Sequence, residues 1–556
     1  MPRARRRRAV AAATALLVLL GGTLMTLSPS ASGVARAAAR HGTQQETAHR
    51  SPHRHQPPQG PGHRTAHQRS AAHPTTSTQK KGRQKADPRP LTKAQQKAQQ
   101  KARQKARERA AAKARAQARR RAAARAKARR EARVRARWAK VRPRDPRTWP
   151  TWAPDHYTPT AGPEFNNPYA GRRKRRALLT HVIRTIDSAP GYRLLNPVTH
   201  RRMRCPTDPR LAPSTIKIAV YSVADLSFAD ALADAQRRCV SVKVMMNSHL
   251  TTLTSRSWGR IVAALGTRPH DWNAARSFAM RCTNGCLGTS VMHVKFFLFS
   301  RAGHAHDIVM TGSTNMTSNA VDVQWNDLFT VDGNRRLYDQ FRDHFRRMLP
   351  DRAGKGPWTY RAGRYRTMFF PAAGMNESND DVMRTLRNVS CKGARNGAGI
   401  RGRTVLYVAM HAWFGVRGQY IADEVRRLQR QGCYVRVLYS FMSRATFDKL
   451  GSDRLPRMVV RRVQFPGALG LVATKYSHMK MLAISGHLGH DRSAWVTWTG
   501  SNNWTDRGDR ADEVTLRISS RAVYRAYVRH WKRIRDTRST AVWAKFPEPV
   551  GGGRAP

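Results

Sequence analysis

The chain has 556 residues with 103 Lys and Arg against 34 Asp and Glu, a formal net charge of +69. So large an excess goes beyond what solubility needs and implies polyanionic surroundings. The first quarter is too polar and repetitive to bury a core, which excludes a folded N-terminal domain and confines globular structure to the later residues.

Residues 1–39 read as an export signal, or as a membrane anchor with the rest of the chain outside. Arg3–Arg8 form a basic start, Ala9–Leu27 an apolar run, and small residues follow to Ala39. A secreted protein is therefore expected. Residues 40–140 form a low-complexity basic region. To about residue 90 it is rich in His, Pro, Gln, Thr and Ser and reads as a linker. From Leu91 to Lys140 it carries 20 Lys and Arg against Glu108 and Glu131, in a background of Ala and Gln. That composition favours a helix without an apolar stripe. Residues 91–140 read as either a solvated helix or disordered; like charges at helical spacing repel, so they are expected to become fully helical only when a polyanion or anionic surface neutralises them.

Varied, aromatic-bearing sequence then runs to about residue 546, before a short tail at 547–556, and it contains an internal duplication. In the first half, a strand at Thr215–Ser222 is followed by a helix at Leu226–Arg238, Cys239 and a strand at Val240–Met246. In the second half, a strand at Thr404–His411, a helix near Tyr420–Arg430, Cys433 and a strand at Tyr434–Tyr439 repeat that order. Each half then reaches an apolar strand bearing His-x-Lys, a second strand ending in Thr-Gly-Ser, and a closing amphipathic helix, Arg335–Met348 or Arg521–Ile534. Strands separated by helix-length segments predict an α/β protein with parallel sheet in each half, the lobes spanning 141–350 and 351–546. Six cysteines after an export signal favour disulfides. The simplest of the 15 pairings respects the repeat, joining Cys205 to Cys239 and Cys391 to Cys433 and leaving Cys282 and Cys286 as a local clip.

The chemistry lies in the repeated element. His293-x-Lys295 and His478-x-Lys480 occupy otherwise apolar strands, where alternation points both side chains of each pair to one face. A buried charge there is costly unless it meets a partner or lines a site. Gly312 lies 19 residues beyond His293 and Gly500 22 beyond His478, each opening a tight turn that presents Ser313 with Asn315, or Ser501 with Asn503. Lys ammonium and Asn amide donors suit phosphate oxygens, and an imidazole is both a nucleophile and a proton carrier near neutral pH. Asp327 and Glu513 precede the closing strand of each half and are read as matched acids. His411 ends a strand and is a candidate cleft residue, whereas Trp413, Trp498 and Trp504 are either core or substrate wall.

The duplicated His-x-Lys…Gly-Ser-x-Asn resembles the signature of the phospholipase D superfamily over roughly residues 200–540. The resemblance implies two pseudo-twofold related α/β/α lobes, a metal-independent reaction without cofactor, and a phosphohistidine intermediate. It makes His293 and His478 nucleophile and acid/base. Lys295, Lys480, Asn315 and Asn503 then bind phosphate, with Asp327 and Glu513 orienting the imidazoles and Ser313 and Ser501 in support. It implies a phosphodiester substrate, a phospholipid or alternatively a nucleic acid, acted on by a monomer. Where the signature has an acidic residue this sequence has Ser300 and Ser485, a departure from the phospholipases proper.

Overall fold

The structure is a computed structural model that describes residues 92–139, 149, 151–193, 204–248, 251–450, 458–466, 473–537 and 540–541. The expected signal or anchor at 1–39 and the linker to residue 90 lie outside these. No helix among the described residues is long and apolar enough to cross a membrane.

The basic region forms one helix, α1 (Lys93–Ala139), whose described side chains are all exposed. Of the two alternatives the composition leaves open, disorder and a solvated helix, the structure has the solvated helix. Ala and long straight-chain residues supply enough intrinsic propensity to outweigh repulsion between charges that point into water on all sides.

The globular residues build two mixed sheets, each backed by helices. The first lobe uses β1 (Gly162–Phe165), α2 (Ala177–Asp187), β2 (Thr215–Val220), α3 (Leu226–Arg237), β3 (Ser241–Asn247), α4 (Thr251–Leu265) and β4 (Phe278–Cys282). It continues with β5 (Lys295–Ala302), β6 (Ala305–Gly312), β7 (Gln324–Trp325), β8 (Asp327–Val331) and α5 (Arg335–Met348). Seven of these strands form a sheet of order β1-β8-β6-β5-β2-β3-β4.

The second lobe comprises β9 (Trp358–Ala362), β10 (Tyr365–Phe369), β11 (Val405–Trp413), α6 (Gly415–Arg430), β12 (Tyr434–Met442) and β13 (Met458–Pro466). It ends with β14 (Ala473–Ser477), β15 (Lys480–Leu488), β16 (Asp491–Gly500), β17 (Val514–Ser519) and α7 (Arg521–Arg535). Its sheet runs β9-β10-β17-β16-β15-β11-β12-β13-β14-β7 with two short strands beside this path. The short β7 of the first lobe closes the second lobe's sheet by pairing with β14.

Within each half the expected parallel pairing is found in β2-β3-β4 and β11-β12-β13, the strands joined through helices, and β7 and β14 also pair in parallel across the two lobes. The strand after each His-x-Lys is antiparallel to its neighbours, because a tight hairpin at Gly303 or Gly489, both at positive φ, leads it directly into the Thr-Gly-Ser strand.

The closing helices α5 and α7 carry the junction between lobes. Leu337, Phe341, Phe345 and Met348 recur at helical spacing and bury one face of α5, while Asn334 caps its N-terminus at Leu337 N, 3.0 Å away. Phe341 packs edge-to-face on Phe296 of the first sheet and Phe369 of the second, with centroids 5.4 and 4.9 Å apart. One continuous core thus includes residues of both lobes, and separate cores lie under the outer helices of each. The three disulfides are Cys205–Cys239, Cys282–Cys286 and Cys391–Cys433.

Candidate active site

Strand register establishes which residues of the two halves are equivalent. Gly312 lies opposite Leu328, and Gly500 opposite Thr515. Ser313 N donates to Asp327 O and Ser501 N to Val514 O, at 3.1 and 2.9 Å. Counting back one residue from these, Asn326 is the counterpart of Glu513, and Trp325 of Asp512. The glycines serve close approach. A Cβ on Gly312 would lie 2.4 Å from Asp327 O, and one on Gly500, at φ +146°, 2.1 Å from Val514 O.

The two motif histidines do not lie inside their strands, which begin at Lys295 and Lys480. β2 ends at Val220 opposite Lys295, so the backbone ahead of that lysine turns to the other lobe for partners. His293 N donates to Asp512 O at 3.0 Å, and His478 N to Trp325 O at 2.9 Å. Each histidine is therefore held by the opposite half. Each lysine then donates its Nζ to the carbonyl of its own histidine, Lys480 at 2.7 Å.

The imidazoles differ in what meets Nδ1. His293 Nδ1 lies 2.8 Å from Glu513 Oε1, a carboxylate across the lobe boundary. His478 Nδ1 lies 2.9 Å from Ser313 O and 3.0 Å from Asn326 Oδ1, both neutral. All these partners accept, so both rings carry the proton on Nδ1 and leave Nε2 for chemistry. Asp327 does not orient an imidazole, contrary to expectation. As neighbours on an extended chain, Asn326 and Asp327 face opposite ways, and it is Asn326 that reaches the ring. Asp327 instead accepts from Ser313 Oγ and Tyr527 OH, both at 2.8 Å, and from Thr499 Oγ1, clamping the lobes together.

The imidazoles share their surroundings with two buried basic groups. Lys295 and Lys480 are almost wholly buried, at 0% and 4% exposure. Burial pushes the Lys295 ammonium down to about 7, with Glu513 opposing the shift. Burial and the adjacent Lys295 hold Lys480 well below its ordinary value. Burial first, and the lysines second, favour neutral His293; for His478, burial and Lys480 do the same. Burial raises Glu513 to about 7, with Lys295 opposing. An anion placed between these cations would restore the ammonium charges. Among the described residues, nothing meets the buried Oδ1 of Asn315 or Asn503; a phosphate oxygen would be met by the other end of each amide, its Nδ2 donor.

Of the further neighbours of this site, His411 is a candidate cleft residue from the sequence, whereas Tyr221 and Arg417 are not singled out by it. Val220 pairs with Lys295 and Met410 with Lys480, which makes Tyr221 and His411 equivalent. Tyr221 stands edge-on to His293 with centroids 5.0 Å apart, and His411 is 4.5 Å from His478. The repeat in strand order would have aligned these two positions. Arg417, buried on α6 and paired with Asp380 at 2.9 Å, donates to Asn502 Oδ1 and Asn503 O at 3.0 and 2.8 Å and so positions the second Gly-Ser turn. No local motif marks this residue. Ser300 and Ser485 lie away from the chemistry, their hydroxyls accepting from Thr215 N and Gly399 N at 2.8 and 3.0 Å. Trp413, Trp498 and Trp504 pack in the second lobe's core, Trp413 and Trp504 edge-to-face at 4.6 Å.

Two histidines with open Nε2 atoms, two lysines and two amides, contributed symmetrically by two halves, can share a tetrahedral anion. The family of cardiolipin synthases with a phospholipase D-like domain matches residues 210–349. No curated protein matches the sequence. Among solved structures, the chain is similar to a polyphosphate kinase from Porphyromonas gingivalis at 14% identity and TM-score 0.38, covering 60% of this chain and 48% of the kinase, under half of its length. A phosphatidylserine synthase from Haemophilus influenzae is similar at 13% identity and TM-score 0.43, with 74% and 92% covered. Nuc, a phospholipase D family member from Salmonella typhimurium, is similar at 17% identity and TM-score 0.23, with 34% and 96% covered. Residues 210–349 are therefore a phospholipase D-like domain, and the second half carries a second copy of its motif, each motif histidine being held through its backbone by the opposite half.

Proposed function

We propose that this protein is a secreted phosphodiesterase that hydrolyses phospholipid phosphodiester bonds through a phosphohistidine on His293. The observation that carries this reading is the inequality of the two imidazoles. His293, backed by the Glu513 carboxylate at 2.8 Å, gains stabilisation as its ring becomes cationic on attacking phosphorus. His478, backed only by neutral acceptors, gives up a proton more readily and suits the leaving oxygen. The bound phosphate's negative charge stabilises His478 as the imidazolium, with a second proton on Nε2. In the first step His293 Nε2 bonds to phosphorus while the P–O bond to the leaving alcohol breaks, and His478 gives its Nε2 proton to that oxygen, returning to the neutral ring. In the second step water transfers a proton to His478 Nε2, its oxygen bonds to phosphorus, and the P–N bond electrons return to His293. Lys295, Lys480, Asn315 and Asn503 hold the non-bridging oxygens and offset the charge on the pentacoordinate phosphorus.

Support for a lipid substrate comes from the matching family, described by its cardiolipin synthases. A second reading, an extracellular nuclease, is favoured by α1, whose Lys and Arg would neutralise backbone phosphates without base readout. The test offers the purified full chain, in EDTA, phosphatidylcholine, cardiolipin, DNA and bis(p-nitrophenyl) phosphate. Lipid turnover that disappears in His293→Ala and in His478→Ala is the expected result. Turnover of DNA alone supports the nuclease, and turnover of none refutes both.

A further inference from the structure

The cleft holds a third imidazole that the two-step scheme does not use. His411, at the far end of β11, is partly exposed, and its ring lies 4.5 Å from His478. Phe441 and Tyr476 flank it at 5.1 and 5.4 Å. Its Nδ1 is 3.0 Å from the carbonyl of Ser477, an acceptor, so Nδ1 carries the proton and Nε2 a lone pair. Burial and the nearby Lys480 keep the ring neutral. Lys295, Lys480 and the Asn amides are arranged to donate to a phosphate, whereas His411 Nε2 can only accept.

Its place in the reaction follows from in-line geometry. Attack by His293 on one side of phosphorus sends the leaving oxygen out on the other, beside His478, and the second nucleophile enters where that oxygen left. Resting on the reading proposed above, we infer that His411 determines whether the intermediate is released to water or to an alcohol, by accepting the second O–H of an entering water. Water has two hydrogens, one for His478 Nε2 as base and one for His411 Nε2. A monohydric alcohol has one, which goes to His478, and its alkyl group leaves the lone pair of His411 desolvated and unmet. The equivalent place beside His293 is held by Tyr221, whose hydroxyl can donate as well as accept, so a group that can only accept stands beside His478 alone of the two.

The test uses the full chain with bis(p-nitrophenyl) phosphate in buffer containing 1-butanol, with the ratio of butyl ester to hydrolysis product as readout. The p-nitrophenolate burst reports intermediate formation separately. In His411→Phe the ratio rises about fivefold, the equivalent of one neutral hydrogen bond, and the steady state slows more than the burst. His411→Gln, whose Oε1 also accepts, stays nearer the wild-type ratio. A purely structural role would slow both steps and leave the ratio alone, and an unchanged ratio in His411→Phe overturns the inference. Should that variant fail to fold, His411→Ala gives the same reading. Absence of any burst or turnover in the wild type instead refutes the parent mechanism.

Discussion

The unequal backing of the two histidines is open to a direct comparison between Glu513→Gln and Asn326→Ala. Glu513→Gln keeps a group of the same shape 2.8 Å from His293 Nδ1 but removes the charge that stabilises the ring as it becomes cationic. A buried hydrogen bond to a charged group contributes about 1.5–3 kcal/mol, so formation of the intermediate should slow by about 10- to 150-fold. Asn326→Ala removes a neutral acceptor 3.0 Å from His478 Nδ1, while Ser313 O still holds the ring at 2.9 Å. Its loss should cost about 0.5–1.5 kcal/mol, or about 2- to 12-fold. Rapid-quench measurement of the p-nitrophenolate burst from bis(p-nitrophenyl) phosphate isolates the first step, because that leaving group needs no proton. Equal slowing of the burst in both variants, or a larger effect from Asn326→Ala, would refute the assignment of His293 as nucleophile.

Three further outcomes follow from the packing. Asp380→Asn leaves the Arg417 guanidinium buried without its counter-charge and should cost about 3–5 kcal/mol in urea unfolding, with reduced turnover because Arg417 holds the Asn502–Asn503 turn. His344 and His530 occupy equivalent places on α5 and α7, stacked on Phe369 and Phe165 at 3.9 and 4.1 Å, and burial pushes both down to about 3. The unfolded chain binds these protons below about 6.5 and the folded chain does not until about 3, so stability falls as pH drops through that window, by about 2 kcal/mol per histidine at pH 5. His530→Phe should flatten this slope in urea titrations between pH 7 and 5, and an unchanged slope would count against the buried neutral state. Gly500→Ala should lower Tm more than Gly312→Ala, since both place a Cβ against a backbone oxygen but only Gly500 adds a left-handed φ.

What the sequence determined by itself was local and periodic. Apolar alternation and helical spacing marked the paired β-α-β segments and located α5 at its observed bounds, because such patterns reflect which face of an element is buried. Repetition did the rest, bringing the cysteines into their three pairs and His293, Lys295, Asn315, His478, Lys480 and Asn503 into two matching sets. Fine register was not legible. Glu513 and Asp327 are both acids at similar places in the repeat, yet only strand pairing reveals that Asn326, one residue earlier, stands where Glu513 does. A one-residue shift in an extended chain reverses the face, and composition cannot report it. Tertiary structure alone also decided that each motif histidine takes its backbone partner from the opposite half, and that Tyr221 and Arg417 flank the site. Those relations join residues far apart in the chain, through contacts that only the packing of the two lobes brings together.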